Sequence, residues 1–412
     1  MGHATSHGLI FTQVGDMKNL NFKNLFYIFL ALCPFTNLLT FKVFYGYGVV
    51  RILMLALIAL GLFSIKLPKK FLSKRGITFI LFLFFVVSII YSLLEYEVFT
   101  VLKESLPFIL MLVCLLCISV REYEFYSYLK FLSLVGAVSG IFAFFLYFNY
   151  IKIPTMIDFE LQGITRTGSL IDGVAGVVGA FSSFYLVATR RGNVKKLIYS
   201  IAFLFSLTNV FLSGFRTYLL MVIIFIFLSI VFSIFTNKLI GKKFIIASIL
   251  VIFAFIGLVN FGNLTNVTID RFLSIDRRVS DNSLDWRKIE LGIELDAIFK
   301  KPVFGNGWGF SARHEVYNKG YGTLLAYGHN QYTSLAARIG LPLAIAYWSL
   351  IFSFLIEAFR QMVKTDRNHN VKIRYVFVFS LTMSVIIGGI TQNFMIMTLF
   401  LPSFTVFWAN DL

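Results

Sequence analysis

The sequence has few charged residues for its length. Only 14% of its 412 residues are Asp, Glu, Lys or Arg, whereas a soluble protein of this size would carry roughly a quarter. Hydrophobic residues make up 58% of the chain, and apolar runs near bilayer length recur throughout it. The composition therefore excludes an ordinary soluble domain and predicts an all-α integral membrane protein.

Cysteine is also scarce, and motifs for metals and nucleotides are missing. Cys33, Cys114 and Cys117 all lie in apolar runs, which excludes a disulfide framework. The C-x-x-C spacing of the last two lacks a nearby His or further Cys, so buried thiols are expected there. No H-E-x-x-H sequence, phosphate-binding glycine loop or nucleotide fingerprint occurs. We therefore expect no cofactor, no metal and no ATP in the reaction.

From the sequence we expect no cleaved leader, internal repeat or linker. Residues 1–16 are polar and lack the basic-then-apolar order of a signal peptide. Met17, followed by Lys18 and the first apolar run, is as plausible a start as Met1. The sequence thus predicts one polytopic membrane domain over residues 1–412. The twelve predicted spans are 24–44, 49–65, 77–94, 101–120, 127–148, 168–189, 197–212, 216–236, 244–261, 340–359, 375–390 and 393–410.

The net charge of +17 marks topology rather than nucleic-acid binding, because the basic clusters fall in alternate loops. Loops rich in Lys and Arg face the cytoplasm, which puts both termini there. The intervening loops are acidic or mixed, as at Glu95, Glu97 and Glu104. The basic clusters are Lys66, Lys69, Lys70, Lys74 and Arg75; Arg190, Arg191, Lys195 and Lys196; Lys238, Lys242 and Lys243; and Arg360, Lys364, Arg367, Lys372 and Arg374.

The only long loop, 262–328, lies between spans nine and ten and is external on this topology. Asn282-Ser283 can cap a helix that begins at Leu284, and Pro302 and Gly305 would end it. The alternating glycines of Gly305-Asn306-Gly307-Trp308-Gly309 predict a flexible turn where backbone can approach a ligand closely. The carboxylates of Glu294 and Asp296 are two residues apart, so they do not share a helix face, and we expect both to be solvated.

A second short helix is predicted over 329–339, at the membrane surface. Gly340 and Pro342 would separate it from the following span. His329 would then sit at its N-terminus, where free N–H groups and positive potential attract anions. A neutral imidazole can accept a hydroxyl proton, whereas Lys and Arg cannot. The alternative interpretation of His329, a capping or interfacial histidine, stays open.

Two arginines are candidate anion-binding residues. Arg216, after Ser213-Gly214-Phe215, puts a cation at the positive end of a span dipole, which suits an anionic partner. It could equally anchor the helix by snorkelling. Arg287 follows Trp286 early in the loop helix, and it could simply pair with Asp285 or Glu290. Candidates of second rank are Arg166, Asn330 and Tyr332.

These motifs resemble the O-antigen ligase and O-antigen polymerase superfamily of bacterial envelope glycan assembly. The resemblance rests on the Arg216 motif, on Trp286-Arg287, on the glycine run, and on His329-Asn330 followed by Gly340. The family's usual small or aromatic residue three after that glycine is Leu343 here. This departure, with an aromatic, low-alanine composition, favours the polymerase branch over the ligase branch.

The resemblance implies a metal-independent glycosyltransferase of the bacterial inner membrane. Its donor would be a glycan on undecaprenyl diphosphate, and its acceptor a lipid-linked repeat unit, or lipid A–core for a ligase. Arg216 and Arg287 would engage the diphosphate, and His329 would activate or orient the acceptor hydroxyl. Arg166, Asn330 and Tyr332 are assigned to substrate binding. The bilayer and a chain-length regulator are further candidate partners, and nucleic acid is not expected. A flippase or transporter is the third alternative, but few charges lie in span centres.

Overall fold

The computed structural model of the chain describes residues 75–98, 100–102, 104–105, 122–147, 150, 173–189, 192–213, 216–235, 282–310, 313–315, 321–323, 330–364 and 369–390. Helices dominate these residues, with one short hairpin. In chain order the elements are α1 (Arg75–Leu93), α2 (Glu122–Tyr147), α3 (Gly173–Thr189), α4 (Asn193–Leu212), α5 (Arg216–Phe235), α6 (Asn282–Lys300), β1 (Arg313–Glu315), β2 (Tyr321–Thr323), α7 (Gln331–Ile339), α8 (Leu341–Val363) and α9 (His369–Gly388).

Three of the described helices are long and apolar enough to cross a membrane. They are α4, α8 and the Leu129–Tyr147 part of α2, and shorter apolar stretches occupy α1, α3 and α5. The helical architecture predicted from the sequence is confirmed for the described residues, and three candidate spans lie among them. The antiparallel hairpin, in which Arg313 pairs with Thr323 and Glu315 with Tyr321, was not predicted.

Most predicted spans within the described residues coincide with helices. Spans 24–44, 49–65, 244–261 and 393–410, with most of 101–120, lie outside those residues, so the count of twelve stays a prediction. The coinciding pairs are 77–94 with α1, 127–148 with α2, 168–189 with α3, 197–212 with α4, 216–236 with α5, 340–359 with α8, and 375–390 with α9.

Helices α2, α3 and α4 pack together closely because glycines allow their backbones to touch. A Cβ added to Gly136 in α2 would lie 2.4 Å from the Cα of Gly179 in α3. One added to Gly140 would lie 1.8 Å from the carbonyl oxygen of Phe205 in α4. Small residues serve the same purpose between membrane helices in general. Two buried side-chain hydrogen bonds join the three helices, Ser133–Ser183 at 2.7 Å and Asn209–Ser139 at 3.0 Å.

Aromatic rings connect this group to α5 and α9. The ring of Phe225 in α5 stacks on Phe181 of α3 at 4.0 Å and meets Phe377 of α9 edge-on at 5.5 Å. All three rings are buried in one continuous core. Such contacts add specific geometry to apolar burial. They fix α5 and α9 side by side, which sets where the ends of both helices lie.

The two helices predicted around the long loop are present. Helix α6 begins at Asn282, two residues before the predicted start, and ends before Pro302, as expected. Helix α7 ends at Gly340, whose φ of 83° is accessible mainly to glycine. Pro342 lies in the first turn of α8, where proline lacks only a hydrogen bond that the helix start would not make. The segment between the apolar helices α5 and α8 therefore contains the helices α6 and α7.

Candidate functional site

The N-terminus of α7 is capped by Asn330. Its side-chain oxygen accepts hydrogen bonds from the backbone N–H groups of Tyr332 at 3.0 Å and Thr333 at 3.4 Å. Asparagine is among the preferred residues at this position because its short side chain reaches these N–H groups. His329 therefore precedes the cap by one residue rather than starting the helix, and it lies outside the described residues.

Removal of the cap gives a direct check on this geometry. We expect Asn330→Ala to lower the free energy of unfolding by about 1 kcal/mol, because two N–H groups lose their acceptor. Asn330→Asp keeps a side-chain acceptor and should retain most of the stability. Thermal unfolding of the purified protein in detergent compares the two variants. Equal losses for Ala and Asp would show that the cap does not stabilise α7.

Helix α7 is held against α9 by its first two residues. The backbone N–H of Gln331 donates to the carbonyl oxygen of Gly389 at 3.0 Å, just beyond the end of α9. The hydroxyl of Tyr332 donates to the carbonyl oxygen of Ile386 at 2.6 Å. Burial raises the pKa of Tyr332 to about 12, so this hydroxyl keeps its proton at physiological pH. Both bonds position the start of α7.

The first N–H groups of α7 are consequently already satisfied. Those of residues 331, 332 and 333 bind Gly389 or Asn330, and that of Ser334 binds the carbonyl oxygen of Asn330. The sequence predicted free N–H groups here that would bind an anion, and that expectation is wrong. What remains is the weaker dipole potential of the helix end. Direct contacts from the first turn of α7 to an anionic ligand must therefore come from side chains.

Helices α6 and α7 run side by side in the same direction. Thr333 Oγ1 donates to Glu294 Oε2 at 2.5 Å. Further along, the side-chain amide of Asn306 bridges the carbonyl oxygens of Ala297 and Ala337, at 3.0 and 2.9 Å. The contacts follow the same order along both helices, from Glu294 to Ala297 in α6 and from Thr333 to Ala337 in α7. The N-terminal half of α6 therefore lies towards the N-terminus of α7.

Glu294 was predicted to be solvated, and this is wrong, because its side chain is only 1% exposed. Glu290, one turn earlier, is buried as well, whereas Asp296 is exposed. Burial raises the pKa of Glu294 to about 6, and the hydroxyl of Thr333 and the charge of Arg338 oppose that rise. Nearby Glu290 adds to it. The contact between α6 and α7 therefore contains a carboxyl group whose pKa lies close to neutral pH.

Glu294→Gln should make the protein more stable at neutral pH. The folded pKa of Glu294 lies above its ordinary value of 4.5, so the folded state binds more protons between these values. Stability therefore falls as pH rises through that window, by about 2 kcal/mol in total. Glutamine keeps an acceptor for Thr333 without the buried charge. We expect a higher melting temperature for Gln at about pH 7.5 and a smaller difference at about pH 5. A lower melting temperature for Gln at the higher pH would contradict this assignment.

The glycine run forms a turn clamped onto the end of α7. Backbone N–H groups of Asn306 and Gly307 donate to the carbonyl oxygens of Ala337 and Arg338, each at 2.9 Å. Gly305 has a φ of 71°, and a Cβ there would lie 2.3 Å from the carbonyl oxygen of Arg338. The sequence predicted that these glycines let a ligand approach. In the structure, the α7–α8 junction approaches Gly305, and the side chain of Tyr96 approaches Gly307 and Gly309.

The same turn is bound to α1 and its C-terminal extension. The backbone N–H of Trp308 donates to Ser92 Oγ and its indole N–H to Ser88 Oγ, both at 2.9 Å. The hydroxyl of Tyr96 donates to the carbonyl oxygen of Asn306 at 2.9 Å. Trp308 is fully buried. The turn is therefore a structural joint that fixes α6, α7 and α1 relative to one another.

Arg338 is a buried residue that the sequence analysis missed. It is 1% exposed, and its guanidinium donates to the backbone and side-chain oxygens of Ser334 at 2.9 and 2.7 Å. Its Nε lies 3.5 Å from the Glu104 carboxylate, also buried. The available signal was the i, i+4 spacing of Ser334 and Arg338 on the face of a short helix that also carries Leu335. Loss of Arg338 would leave the buried Glu104 carboxylate without this positive charge.

Arg216 and Arg287 lie on helices that connect to the start of α7. Arg216 is the first residue of α5, and Arg287 is half-buried in α6, about two turns before Glu294. Met221, in the second turn of α5, contacts Gly388 at the end of α9. Since Gly389 binds Gln331, the end of α9 links the starts of α5 and α7. The side chain of Arg216, and all of Arg166 and His329, lie outside the described residues.

Comparison with protein families matches residues 201–348 to the family described as O-antigen ligase. The matched segment contains Arg216, Arg287, His329, Asn330 and Tyr332, and it ends within α8. It does not include Arg166. A search of curated proteins found no significant match. The match confirms, for residues 201–348, the resemblance seen in the motifs.

Proposed function

We propose that this chain, whose residues 201–348 match the family described as O-antigen ligase, is an O-antigen polymerase. It transfers a glycan from undecaprenyl diphosphate onto a lipid-linked repeat unit at the periplasmic face of the inner membrane. The observation that carries the proposal is the meeting of α5, α6 and α9 around the capped start of α7. Those elements bear Arg216, Arg287 and the residues next to His329.

In the reaction, an acceptor hydroxyl attacks the anomeric carbon of the donor sugar. The bond from that carbon to the diphosphate oxygen breaks, and undecaprenyl diphosphate leaves with the electron pair. His329 takes the hydroxyl proton as general base. A direct displacement of this kind inverts the anomeric centre. Atoms and charge balance without a metal or cofactor, so the donor and acceptor glycans supply everything that is transferred.

Arg216 and Arg287 stabilise the negative charge that grows on the departing diphosphate. Guanidinium groups bind phosphate oxygens through two parallel hydrogen bonds, and fixed donors aimed at developing charge are large contributors to catalysis. The first N–H groups of α7 already have acceptors, so the helix offers the diphosphate only its dipole. The direct hydrogen bonds to the diphosphate must therefore come from the two arginines. Both arginines are consequently required. Arg166, Asn330 and Tyr332 hold the substrate or the elements around it.

Twelve spans with both termini in the cytoplasm place the loop 262–328 in the periplasm. The bilayer supplies the apolar surroundings that the undecaprenyl tail needs. A chain-length regulator is the expected protein partner. The start of α7 is then close to the level of the lipid headgroups, since Gln331 binds Gly389 just beyond the end of α9. A lipid diphosphate at the outer face could reach it without leaving the membrane.

An O-antigen ligase is the second candidate, because the matched family carries that description. Its acceptor would be lipid A–core instead of a second lipid-linked repeat. Leu343, at a position where the family has a small or aromatic residue, favours the polymerase. It is a half-buried residue in the first turn of α8 that packs against the core. A flippase or transporter is the third candidate, and it would need charged residues in span centres.

Deletion of the gene distinguishes the candidates by the lipopolysaccharide that remains. Loss of a polymerase leaves core capped with a single repeat unit. Loss of a ligase leaves uncapped core while lipid-linked polymer accumulates, and loss of a flippase leaves uncapped core without polymer. We expect the first pattern, restored to a full ladder by the wild-type gene. Either of the other two patterns contradicts the polymerase assignment.

A further inference from the structure

An exposed apolar patch lies where α6 joins the glycine turn. Its members are Phe299, Val303 and Phe304, with exposures of 78%, 56% and 71%, and Leu94 just after α1, at 81%. We call these four residues the loop patch. Two aromatic residues this exposed, five positions apart, are costly in water, because burial of apolar area is what normally stabilises such side chains. Some apolar environment should therefore cover the patch.

The loop patch is fixed at the level where apolar helices end. The backbone N–H of Leu341, the first residue of α8, donates to the carbonyl oxygen of Pro302 at 2.8 Å. The ring of Phe304 lies 6.3 Å from that of Tyr91, in the last turn of α1. Helices α1 and α8 pack side by side through Phe85 and Tyr347. Residues 302–304 are thus held at the start of a candidate membrane span and at the end of its neighbour.

The exposed faces of both helices lead towards the loop patch. In α8, exposed apolar residues recur at helical spacing from the first residue onward, which is the pattern of a lipid-facing stripe. A matching stripe follows α1 towards Leu94. The exposed members are Leu341, Ile345, Phe352, Ile356, Phe359 and Val363 in α8, and Ile80, Phe84, Val87 and Ile90 in α1. The loop patch continues these surfaces beyond the helix ends.

We propose that the loop patch is an interfacial membrane anchor, inserted among the headgroups of the leaflet at which α1 ends and α8 begins. Aromatic residues concentrate at this depth because their rings are apolar while the surroundings are partly wet. The exposed Lys300 and the Lys301–Glu95 ion pair of 3.1 Å border the patch with polar groups that suit the headgroup region. The anchor fixes the C-terminal end of α6, whatever reaction the protein catalyses.

Site-specific labels test the depth of the loop patch. The three native cysteines are replaced by serine, and an environment-sensitive fluorophore is attached at Phe304→Cys or Phe299→Cys in the full chain. Lys288→Cys is the matched control, because it is exposed on the same helix, about 16 Å from Phe299. The protein is placed as single copies in nanodiscs of phosphatidylethanolamine and phosphatidylglycerol. A lipid carrying a nitroxide near its headgroup is one quencher, and aqueous iodide is the other.

We expect the lipid nitroxide to quench labels at 299 and 304 roughly twofold or more beyond the label at 288, with iodide showing the opposite order. The pattern at two patch positions protects against a local effect of one substitution. Iodide quenching at 304 equal to that at 288 would mean that the patch faces water, which overturns the proposal. Shielding from iodide without quenching by the lipid would mean that protein covers the patch, and this also overturns it.

Discussion

Alanine at Arg216, Arg287 or His329 is expected to abolish polymer formation. Removal of one donor that stabilises a developing anion costs about 10²–10³-fold in rate, and removal of a general base costs about 10²–10⁴-fold. Either loss would erase a repeat-unit ladder. The measurement is the lipopolysaccharide ladder in a deletion strain that expresses each variant, with membrane levels of the protein checked by immunoblot.

Two further variants sharpen the test at Arg287. Lys288→Ala removes a neighbouring, exposed positive charge and should leave the ladder intact. Arg287→Lys keeps the charge but lacks the planar fork that binds phosphate oxygens in pairs, so it should remain poor. Normal ladders from all three alanine variants would refute the site. A normal ladder from Arg287→Lys alone would reduce the role of Arg287 to its charge.

Trp308→Ala should be the most destabilising single substitution in the loop. The indole is fully buried, and its N–H donates to Ser88 at 2.9 Å. Truncation of a buried tryptophan to alanine typically costs about 3–5 kcal/mol, because a cavity remains. Trp308 also joins the glycine turn to α1, so this loss would loosen the seating of α6 and α7.

Trp308→Phe is the matched variant, because it keeps most of the ring and removes the indole N–H. We expect it to cost about 1–2 kcal/mol, the range for a lost buried hydrogen bond with partial refilling. Thermal unfolding in detergent should rank the proteins as wild type, Phe and then Ala. An Ala variant as stable as the Phe variant would show that the turn is not a structural joint.

The local structure of the loop could be predicted from the sequence, because helix signals are short-range. The Asn282-Ser283 pair and Pro302 predicted the bounds of α6 to within two residues, and Gly340 marked the end of α7. The position of His329 was predicted less well. Asn330 occupies the N-cap position instead, because its side-chain oxygen accepts hydrogen bonds from two backbone N–H groups.

Which side chains of the loop are buried could not be predicted, because burial depends on which face of a helix packs against another element. Phe299 belongs to the apolar spacing of α6 and is exposed, whereas Glu294 is polar and buried against Thr333. The glycine run was interpreted as a ligand-binding turn because the sequence does not show which element packs against it. Its neighbours, Arg338 and Tyr96, are brought to it by tertiary contacts that no local pattern contains.

The most direct test of the central claim is an assay with purified protein in nanodiscs and one synthetic undecaprenyl-diphosphate-linked repeat unit. A metal chelator is present, and no nucleotide or other enzyme is added. We predict a ladder of products spaced by one repeat, with release of undecaprenyl diphosphate, and no ladder from Arg287→Ala. The claim is contradicted if the repeat unit is never elongated, or if transfer occurs only when lipid A–core is supplied.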